Sequence, residues 1–226
     1  MNVPKKNGKK RTVQDYRPVN AITIKDRYPL PNIGEIRNRL EGANWFTKID
    51  LRDAFYSIRM KDGHEWKTAF LTRWGLYEFL VMPIGLSNAP ATQQRCINNL
   101  LQDLLDVCVI AYVDDLLIYT NGTKEEHVQH VQSVFERLAQ SDFKTAPEKC
   151  EFHKEEVEFL GFIIGKGKIR IDLKKVQTIR EWPIPKNVKD VQSFLRLAGY
   201  VRSHVKDYSK ITIPLTEMTK KDRPFA

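Results

Sequence analysis

The sequence has no long apolar run, no internal repeat and no low-complexity linker. No stretch of its 226 residues approaches the roughly 18 uninterrupted apolar residues that a membrane-spanning helix requires. The amino terminus, MNVPKKNGKKR, is basic but lacks the apolar core of a secretory signal. With 42% hydrophobic and 29% charged residues, the chain is expected to be a soluble globular protein without a membrane partner.

Cysteine is also scarce, and the three cysteines, Cys96, Cys108 and Cys150, form no CxxC pair. An odd number leaves one thiol without a disulfide partner. The pattern favours reduced, buried thiols in an intracellular protein over a disulfide framework.

Two short pairs of possible zinc ligands occur, His127 with His130 and Cys150 with His153. No other pair has a matching spacing, and a structural zinc site needs four ligands. On the helix predicted to follow Thr123, the two histidines fall near the outer face. We therefore interpret His127 and His130 as part of a solvated surface.

Positive charge is concentrated at the two ends of the chain, which has a formal net charge of +9. Residues 1–27 contain eight Lys and Arg against two acids, and residues 173–226 contain twelve against five. Residues 28–172 contain seventeen against twenty-one. Two basic flanks around a mildly acidic centre indicate arms that hold a polyanion over a centre that binds metal. The alternative is that lysine-rich ends serve solubility alone.

Apolar periodicity and turn residues predict a mixture of hairpins and helices, which is an α+β pattern. The predicted elements are a hairpin over 5–17 that turns at Asn7 and Gly8, a helix between Asn32 and Gly42, a strand over 45–51, a helix over 89–105, a hairpin over 107–120, a helix from Thr123 with Val128, Val131, Phe135 and Leu138 inward, and a hairpin over 157–171. From Asp172 onward the pattern becomes helical, so we place a domain boundary there.

Two adjacent carboxylates, Asp114 and Asp115, lie in the middle of the apolar run YVDDLLIYT. Like charges repel, and burying each without a partner costs several kcal/mol, so a bound cation is the simplest compensation. Asp50 ends the strand predicted over 45–51 and converges with them if that strand neighbours the 107–120 hairpin. Clustered carboxylates suit hard cations such as Mg²⁺, and two such ions can activate a hydroxyl and stabilise a leaving pyrophosphate. A solvent-facing turn is the alternative.

A series of motifs resembles the reverse transcriptases of gypsy-type LTR retrotransposons and their retroviral relatives. The resemblance runs in order from about residue 3 to the carboxy terminus, so it does not depend on the YVDD motif alone. The matching stretches are KKNGKKRTVQDYRPVN, DRYPLP, FTKIDLRDAFYSIRM, EWKTAF, LVMPIGLSNAPATQQ, YVDDLLIYT, KCEFH, VEFLGFII and WPIPKNVKDVQSFLRLAGYVRSHVKDYSKITIPLTEMTKK.

The resemblance implies a right-hand polymerase fold of the α+β class. Carried onto this chain, it gives partial fingers over 1–44, a palm of antiparallel sheet and helices over 45–171, and a helical thumb with the start of the connection over 172–226. A fingers insertion is expected at about 62–85. The palm would hold the acidic residues and the thumb would follow the duplex backbone.

The implied function is that of a nucleotidyltransferase, an RNA-directed DNA polymerase that adds dNTPs to a primer 3′-hydroxyl. Its cofactor would be two Mg²⁺ ions, with Mn²⁺ as a possible substitute. Its partners would be an RNA or DNA template with a primer, and a dimer or a larger Pol polyprotein is possible. We expect an intracellular location, either a cytoplasmic virus-like particle or the nucleus.

The resemblance also implies roles for single residues around the metal ions. Asp50 and Asp114 correspond to the main metal ligands, and Asp115 completes the site. Lys149 corresponds to a palm lysine that protonates the departing pyrophosphate, with an ordinary surface lysine as the alternative.

Four further positions correspond to residues that contact the incoming nucleotide. Lys6 and Arg11 match basic fingers residues that reach its triphosphate, and a solvated hairpin is the alternative. Phe55 matches the aromatic residue that excludes a ribose 2′-hydroxyl, and core packing is the alternative. Gly85 matches the loop beside the new base pair.

Phe159, Leu160 and Gly161 match the hairpin that grips the primer end. Two positions depart from the family pattern. Ile84 replaces a Phe or Gln, and Gln93 replaces a Phe, which leaves the nucleotide contacts there open.

The resemblance begins part-way through the fingers, and no RNase H, integrase or protease motif follows residue 226. We therefore expect either a fragment of a polyprotein or a truncated genomic copy. An alternative function is a catalytically inactive, nucleic-acid-binding remnant of a retrotransposon. A structural subunit that partners a complete polymerase is a third possibility, and it predicts a stable dimer.

Overall fold

A computed structural model describes residues 2–4, 8, 10–165 and 168–220, and it contains helices together with mainly antiparallel sheets. The strands are β1 (Asn2–Pro4), β2 (Lys10–Thr12), β3 (Trp45–Arg52), β4 (Phe70–Thr72), β5 (Gly75–Tyr77), β6 (Val109–Tyr112), β7 (Asp115–Thr120), β8 (Lys144–Thr145), β9 (Glu151–Lys154), β10 (Glu156–Phe159), β11 (Phe162–Gly165) and β12 (Lys168–Ile171). The α-helices are α1 (Arg17–Ile22), α2 (Ile33–Arg39), α3 (Ala89–Leu100), α4 (Lys124–Ala139), α5 (Leu173–Arg180), α6 (Val188–Gly199) and α7 (Tyr208–Glu217). The mixture of helices and antiparallel strands confirms the predicted α+β class.

The central sheet has the strand order β6-β7-β3-β8, and β9 also pairs with β3. Strand β3 alternates over most of its length, because Thr47, Ile49 and Leu51 are buried whereas Lys48 and Asp50 are half-buried; Phe46, on the same face as Lys48 and Asp50, is also fully buried. Its antiparallel register with β7 runs from Trp45 opposite Thr120 to Asp50 opposite Asp115. The same register that buries the apolar side chains therefore brings two acidic residues together at one end.

One apolar core forms around the central sheet and helices α3 and α4. Its buried members are Ile49, Leu51, Ala54, Ile97, Leu101, Val109, Ala111, Leu116, Ile118, Val131, Val134 and Leu138. Full burial of a single Leu or Ile side chain contributes about 1.5–3 kcal/mol. This core fixes β3 and β7 against each other and so holds the acidic end of the sheet.

Helix α3 ends at Leu100, whereas the apolar spacing predicts a helix to residue 105. After Leu101 the chain forms turns, in which the amides of Leu104 and Leu105 both donate to the Leu101 carbonyl. The left-handed Asp106, with φ of 63°, then leads the chain into β6. Because Leu104 and Leu105 still pack against the core, their spacing imitates a longer helix.

Helix α4 begins with the predicted cap, in which the Thr123 hydroxyl accepts a hydrogen bond from the Glu126 amide. The prediction that His127 lies on a solvated face is wrong, because His127 is fully buried and Val128 is 44% exposed. Two threonine hydroxyls satisfy the buried ring: Thr47 Oγ1 is 2.8 Å from Nε2, and Thr120 Oγ1 is 2.9 Å from Nδ1. Periodicity cannot detect such a buried polar residue.

His130 and His153 complete this cluster. Thr120 Oγ1 lies 2.8 Å from His130 Nδ1, and the His153 ring meets the His127 ring edge-on at 5.4 Å. Burial, together with the positive charge that His153 and His130 can carry, lowers the pKa of His127 to about 4. Within the described ranges, no group of three or more His, Cys, Asp or Glu side chains is arranged to hold a metal ion.

Two hairpins belong to the predicted fingers. Strands β1 and β2 pair antiparallel, with Asn2 opposite Thr12, so the amino-terminal hairpin is confirmed, although Asn7 of its predicted turn lies outside the described residues. Strands β4 and β5 form a second hairpin within the predicted insertion, with Phe70 opposite Tyr77.

The chain divides into two compact units, one of residues 1–159 and 164–168 and the other of residues 160–163 and 169–226. The division falls within a three-stranded sheet of order β10-β11-β12, which replaces the single hairpin predicted over 157–171. The additional turn lies at Leu160 and Gly161, whose φ angles of 49° and 75° are left-handed. The boundaries of fingers, palm and thumb stay predictions.

The second unit contains three helices, α5, α6 and α7, in the region that the sequence predicts to be helical from residue 172 onward. Asn187 caps α6, because its side-chain oxygen accepts a hydrogen bond from the Asp190 amide at 3.0 Å. The Phe162 and Tyr200 rings stack with their centroids 4.9 Å apart, and Val191 is fully buried. Among the helices of the described ranges, none has the length and apolar character needed to cross a membrane.

Candidate active site

Asp50 and Asp115 lie directly opposite each other on the antiparallel strands β3 and β7. Residues in this relationship have Cβ atoms about 4.5–5.5 Å apart, and like charges placed so are destabilising. The Asp50 side chain is 19% exposed, so water screens it only in part. This end of the sheet therefore requires a positive charge.

Asp114 lies in the two-residue turn between β6 and β7, since Tyr112 pairs with Asp115. The predicted hairpin is confirmed, but its turn is formed by Val113 and Asp114, one residue before the acidic pair, because Asp115 already belongs to β7. The turn is joined to β3, because the Leu51 amide donates to the Asp114 carbonyl at 2.8 Å. Val113 is left-handed, with φ of 53°, a strained conformation for a β-branched residue. Backbone contacts thus bring Asp114 next to the Asp50–Asp115 pair.

Lys149 supplies one positive charge to this site. Its ammonium lies 3.0 and 3.1 Å from the two carboxylate oxygens of Asp50. This hydrogen bond raises the pKa of Lys149. A short 3-10 turn over Pro147–Lys149 carries the residue, and the Ala146 amide before it donates to the Asp50 carbonyl. The Lys149 side chain is 60% exposed, and its ammonium contacts the Asp50 carboxylate; its role as a proton donor stays a prediction.

Negative charge is in excess around Asp115. Burial raises the pKa of the Asp115 carboxyl above its ordinary value, Asp50 and Asp114 raise it further, and Lys48 and Lys149 act in the opposite direction. A divalent cation would relieve this excess. The donor set consists of carboxylate oxygens alone, which fits a hard divalent ion. The donor types of Asp50, Asp114 and Asp115 therefore suit such an ion, although the three side chains are not arranged around a single metal position in this structure.

Phe55 follows β3 in a 3-10 turn over Ala54–Ser57, which begins after the left-handed Asp53. Its side chain is half-buried rather than part of the core. Ala54, by contrast, is buried in the core and fixes the turn. The structure thus places Phe55 beside the end of the strand that carries Asp50.

Gly85 has φ of 111°, which favours glycine. A Cβ at this position would lie 3.2 Å from Cδ2 of Tyr16, which is closer than most contacts allow. The Asn20 side chain donates a hydrogen bond of 2.8 Å to the Gly85 carbonyl. The loop therefore packs closely against the segment that follows β2.

An apolar cavity of about 230 Å³ lies next to this loop. Its lining includes Ile84, one of the two residues that depart from the family pattern, and Tyr56, the neighbour of Phe55. The remaining lining residues are Val13, Gln14, Asp15, Tyr16, Phe70, Leu71, Phe79 and Pro83. Sequence reasoning did not select Tyr16 or Tyr56, and the only available signal was that each adjoins a recognised motif.

Comparison with known proteins identifies the family. Residues 3–164 match the model of the family described as reverse transcriptase (RNA-dependent DNA polymerase). The chain belongs to the reverse transcriptase family. The resemblance stated from the motifs is confirmed, and membership implies dependence on divalent metal ions in general.

Two similar relatives are transposon polyproteins. The chain is 44% identical over 224 residues to the retrovirus-related Pol polyprotein from transposon 297 of Drosophila melanogaster. The matched region covers 97% of this chain and 21% of that protein. It is 38% identical over 222 residues to the transposon Tf2-3 polyprotein of Schizosaccharomyces pombe, which covers 98% of this chain and 17% of that protein. This reverse transcriptase chain thus spans about a fifth of the length of these relatives.

Solved structures give the fold. The foamy viral protease-reverse transcriptase dRH in complex with double-stranded DNA matches with a TM-score of 0.86 and 28% identity, over 96% of this chain and 38% of that one. The foamy viral protease-reverse transcriptase in complex with an RNA/DNA hybrid matches with a TM-score of 0.83 and 26% identity. This match covers 99% of the present chain and 30% of the foamy viral chain. The reverse transcriptase described here has the right-hand polymerase fold.

The structure describes some, but not all, of the remaining residues predicted to contact the nucleotide and the primer. Lys6 lies outside the described residues, and Arg11 lies on β2. Phe159 is 1% exposed at the end of β10, whereas Leu160 and Gly161 are half-buried in the following turn. Of the three predicted primer contacts, Phe159 therefore belongs to the interior.

Sequence reasoning about the reverse transcriptase missed the two buried glutamines of α3. Gln93 appeared only as a departure from the family pattern, and Gln94 was not considered. Both are fully buried, and both contact the turn that carries Asp114. A pair of glutamines on the inner face of a helix that precedes the acidic hairpin was the available signal.

Proposed function

We propose that this chain is the RNA-directed DNA polymerase part of a retrotransposon Pol polyprotein. It would extend a primer 3′-hydroxyl with dNTPs on an RNA or DNA template. The observation that carries the proposal is the pairing of Asp50 with Asp115 across β3 and β7, with Asp114 in the adjoining turn. Family membership and the 44% identity to a Pol polyprotein support it.

The proposed cofactor is Mg²⁺, with Mn²⁺ as a substitute, held by Asp50, Asp114 and Asp115. When bound, such ions supply the positive charge that activates the primer hydroxyl and stabilises the leaving pyrophosphate. Lys149 already neutralises part of the charge on Asp50, and its raised pKa keeps it protonated at neutral pH. In this proposal its ammonium gives a proton to the leaving group, a step that the hydrogen bond to Asp50 opposes as long as it is intact.

The nucleic acid partner follows from structural neighbours, which are complexes with double-stranded DNA and with an RNA/DNA hybrid. In this proposal the basic carboxy-terminal unit contacts the duplex backbone through phosphate groups. The incoming dNTP would meet Lys6 and Arg11 at its phosphates, Phe55 at its sugar and Gly85 near its base. Leu160 and Gly161 would lie at the primer end. An intracellular location is part of the same proposal.

Primer extension by the purified 226-residue chain tests the proposal, with RNA and DNA templates and with Mg²⁺ and then Mn²⁺. Asp114→Asn should lower the rate of nucleotide addition by at least about 100-fold, because a metal ligand acts mainly on the chemical step. Binding to primer–template should change by less than about threefold, because phosphate contacts dominate it. Asp142→Asn, at an exposed position after α4, is the matched control.

Two outcomes would contradict the proposal. If Asp114→Asn extends primer at the parent rate, the carboxylates are not the metal site. If the parent binds primer–template but adds no nucleotide with either ion, the chain acts as the inactive, nucleic-acid-binding remnant.

A further inference from the structure

Gln93 and Gln94 are adjacent residues on α3, and both are fully buried. Buried glutamine is uncommon, because its amide must find hydrogen-bond partners once it leaves water. Both side chains are directed to the turn between β6 and β7, but they contact different groups there. The difference between their partners indicates different tasks.

Gln94 binds the backbone of the hairpin. Its amide nitrogen donates to the Ala111 carbonyl at 3.0 Å and to Asn98 Oδ1 at 2.9 Å. Its amide oxygen accepts from the Val113 amide at 2.8 Å. Both ends of Gln94 are therefore satisfied, and the residue holds the strained Val113 in place. This is a structural task.

Gln93 contacts a side chain instead. Its amide nitrogen donates a hydrogen bond to Oδ1 of Asp114. Its amide oxygen is buried and has no hydrogen-bond partner in the part of the chain that the structure describes. The reverse orientation of the amide would place two oxygens against each other, so the carboxylate fixes which end faces it.

An amide with one unpartnered end is a poor way to fill a core. An apolar side chain of the same length would fill the space without a buried, unpaired oxygen. The hydrogen bond to Asp114 is the contact that distinguishes glutamine from such a side chain. Gln93 therefore acts on Asp114 rather than on packing.

We propose that Gln93 is a positioning residue, which holds the Asp114 carboxylate in the orientation that binds the divalent ion and so sets the affinity for that ion. The inference rests on the proposed function, because it assumes that Asp114 is a metal ligand. Hydrogen bonds from outer partners commonly orient ligating carboxylates, and their loss lowers metal affinity or activity by about 10–100-fold. A buried donor on a helix is suited to this, because its own position is fixed.

The test compares the parent chain with Gln93→Met and Gln93→Leu, which remove the donor but keep an apolar side chain of similar size. Gln102→Met is the matched control, because Gln102 is exposed after the end of α3. Binding of Mn²⁺ alone is titrated by electron paramagnetic resonance, and thermal unfolding is recorded without metal. We expect both Gln93 variants to bind Mn²⁺ at least about tenfold more weakly. Their melting temperatures should equal or exceed that of the parent, because the unpaired oxygen is gone.

Nucleotide addition provides an independent measurement. The Mg²⁺ concentration that gives half the maximal rate should rise by a similar factor in both Gln93 variants. The maximal rate at saturating Mg²⁺ should stay within about threefold of the parent, because no metal ligand is lost. Gln102→Met should leave both quantities unchanged.

Three results overturn the inference. Unchanged Mn²⁺ affinity in both Gln93 variants shows that the hydrogen bond does not act on the ion. Weaker affinity that accompanies an equally large loss of melting temperature assigns Gln93 to packing. If Asp114→Asn binds Mn²⁺ as tightly as the parent, the proposed metal site is wrong, and both the proposed function and this inference are overturned. The first two results overturn only the inference about Gln93 and leave the proposed function standing.

Discussion

The ammonium of Lys149 bridges both carboxylate oxygens of Asp50, at 3.0 and 3.1 Å. Asp50 in turn faces Asp115 across β3 and β7. The chain therefore carries its own cation at the acidic end of the sheet. In the proposed function, this ammonium would compete with a divalent ion for Asp50 and would be the proton donor for the leaving group.

We expect Lys149→Gln to change two quantities in opposite directions. Mn²⁺ affinity in the absence of nucleic acid should rise by up to about fivefold, because a half-exposed ion pair contributes about 0.2–1 kcal/mol. The rate of nucleotide addition should fall at least about 100-fold, because a proton donor is lost. Mn²⁺ titration and single-nucleotide addition measure the two effects.

Lys154→Gln, at an exposed position on β9, is the control for Lys149. It should change neither quantity. If Lys149→Gln is equally silent, Lys149 is an ordinary surface lysine.

We expect Phe55→Val to raise the use of rNTP relative to dNTP by more than about tenfold, which corresponds to about 1.4 kcal/mol of lost discrimination. A site rejects an added hydroxyl mainly by collision with a fixed, bulky group. Because Phe55 is half-buried, the change should not cause the stability loss of a core Phe. Single-nucleotide incorporation and thermal unfolding are measured together.

Phe152→Val, at a 40% exposed position on β9, is the control and should leave the sugar ratio unchanged. Equal loss of both incorporations by Phe55→Val, together with early melting, would place Phe55 in the core instead.

We expect primer–template binding to depend steeply on salt and the carboxy-terminal unit to supply much of that dependence. Lys174→Gln combined with Lys189→Gln removes two exposed charges of α5 and α6. Each phosphate contact that is lost should reduce the slope of log K against log salt by roughly 0.9. The control combines Lys124→Gln with Lys154→Gln, which lie near the end of β3 opposite to Asp50. If only the Lys124→Gln and Lys154→Gln control reduces the salt dependence of binding, the duplex does not bind at α5 and α6.

We expect acid to destabilise the first unit through His127. Its pKa is about 4 in the folded chain and 6.5 as an ordinary histidine, so the unfolded chain binds the proton more readily. Stability is therefore present above pH 6.5 and is lost as the pH falls from 6.5 towards 4. Because each pKa unit corresponds to about 1.4 kcal/mol, the free energy of unfolding should fall by on the order of 3 kcal/mol over this pH range.

His127→Gln should make the melting temperature less dependent on pH between 6.5 and 4. His64→Gln, in the predicted fingers insertion, is the control and should show the same dependence of melting temperature on pH as the parent. Parallel curves for His127→Gln and the parent would show that the buried ring does not titrate as described.

The acidic site was predictable because its determinants are local. Alternation places Asp50 at the end of a strand, and two β-rich arms around Asp114 and Asp115 predict a hairpin. The Thr123 cap was equally visible, because its partner is three residues away. Long-range pairing of β3 with β7 was the one step that needed the motif resemblance.

Other features depended on contacts that periodicity does not encode. His127 is buried because Thr47, 80 positions away, and Thr120 satisfy its ring. Helix α3 stops early because Leu104 and Leu105 reach the core from turns. The role of Gln93 was not visible, since a single glutamine gives no sign of which carboxylate it faces.

The stacking of Phe162 on Tyr200 has a practical consequence for dividing the gene into expressible pieces. Residues 160–163 belong to the same compact unit as residues 169–226, although 164–168 do not. A cut at residue 172 would give one product with Phe162 but without Tyr200, and another with Tyr200 but without Phe162. Each product would expose an aromatic ring to water, so a soluble fragment that contains the second compact unit should begin upstream of Leu160.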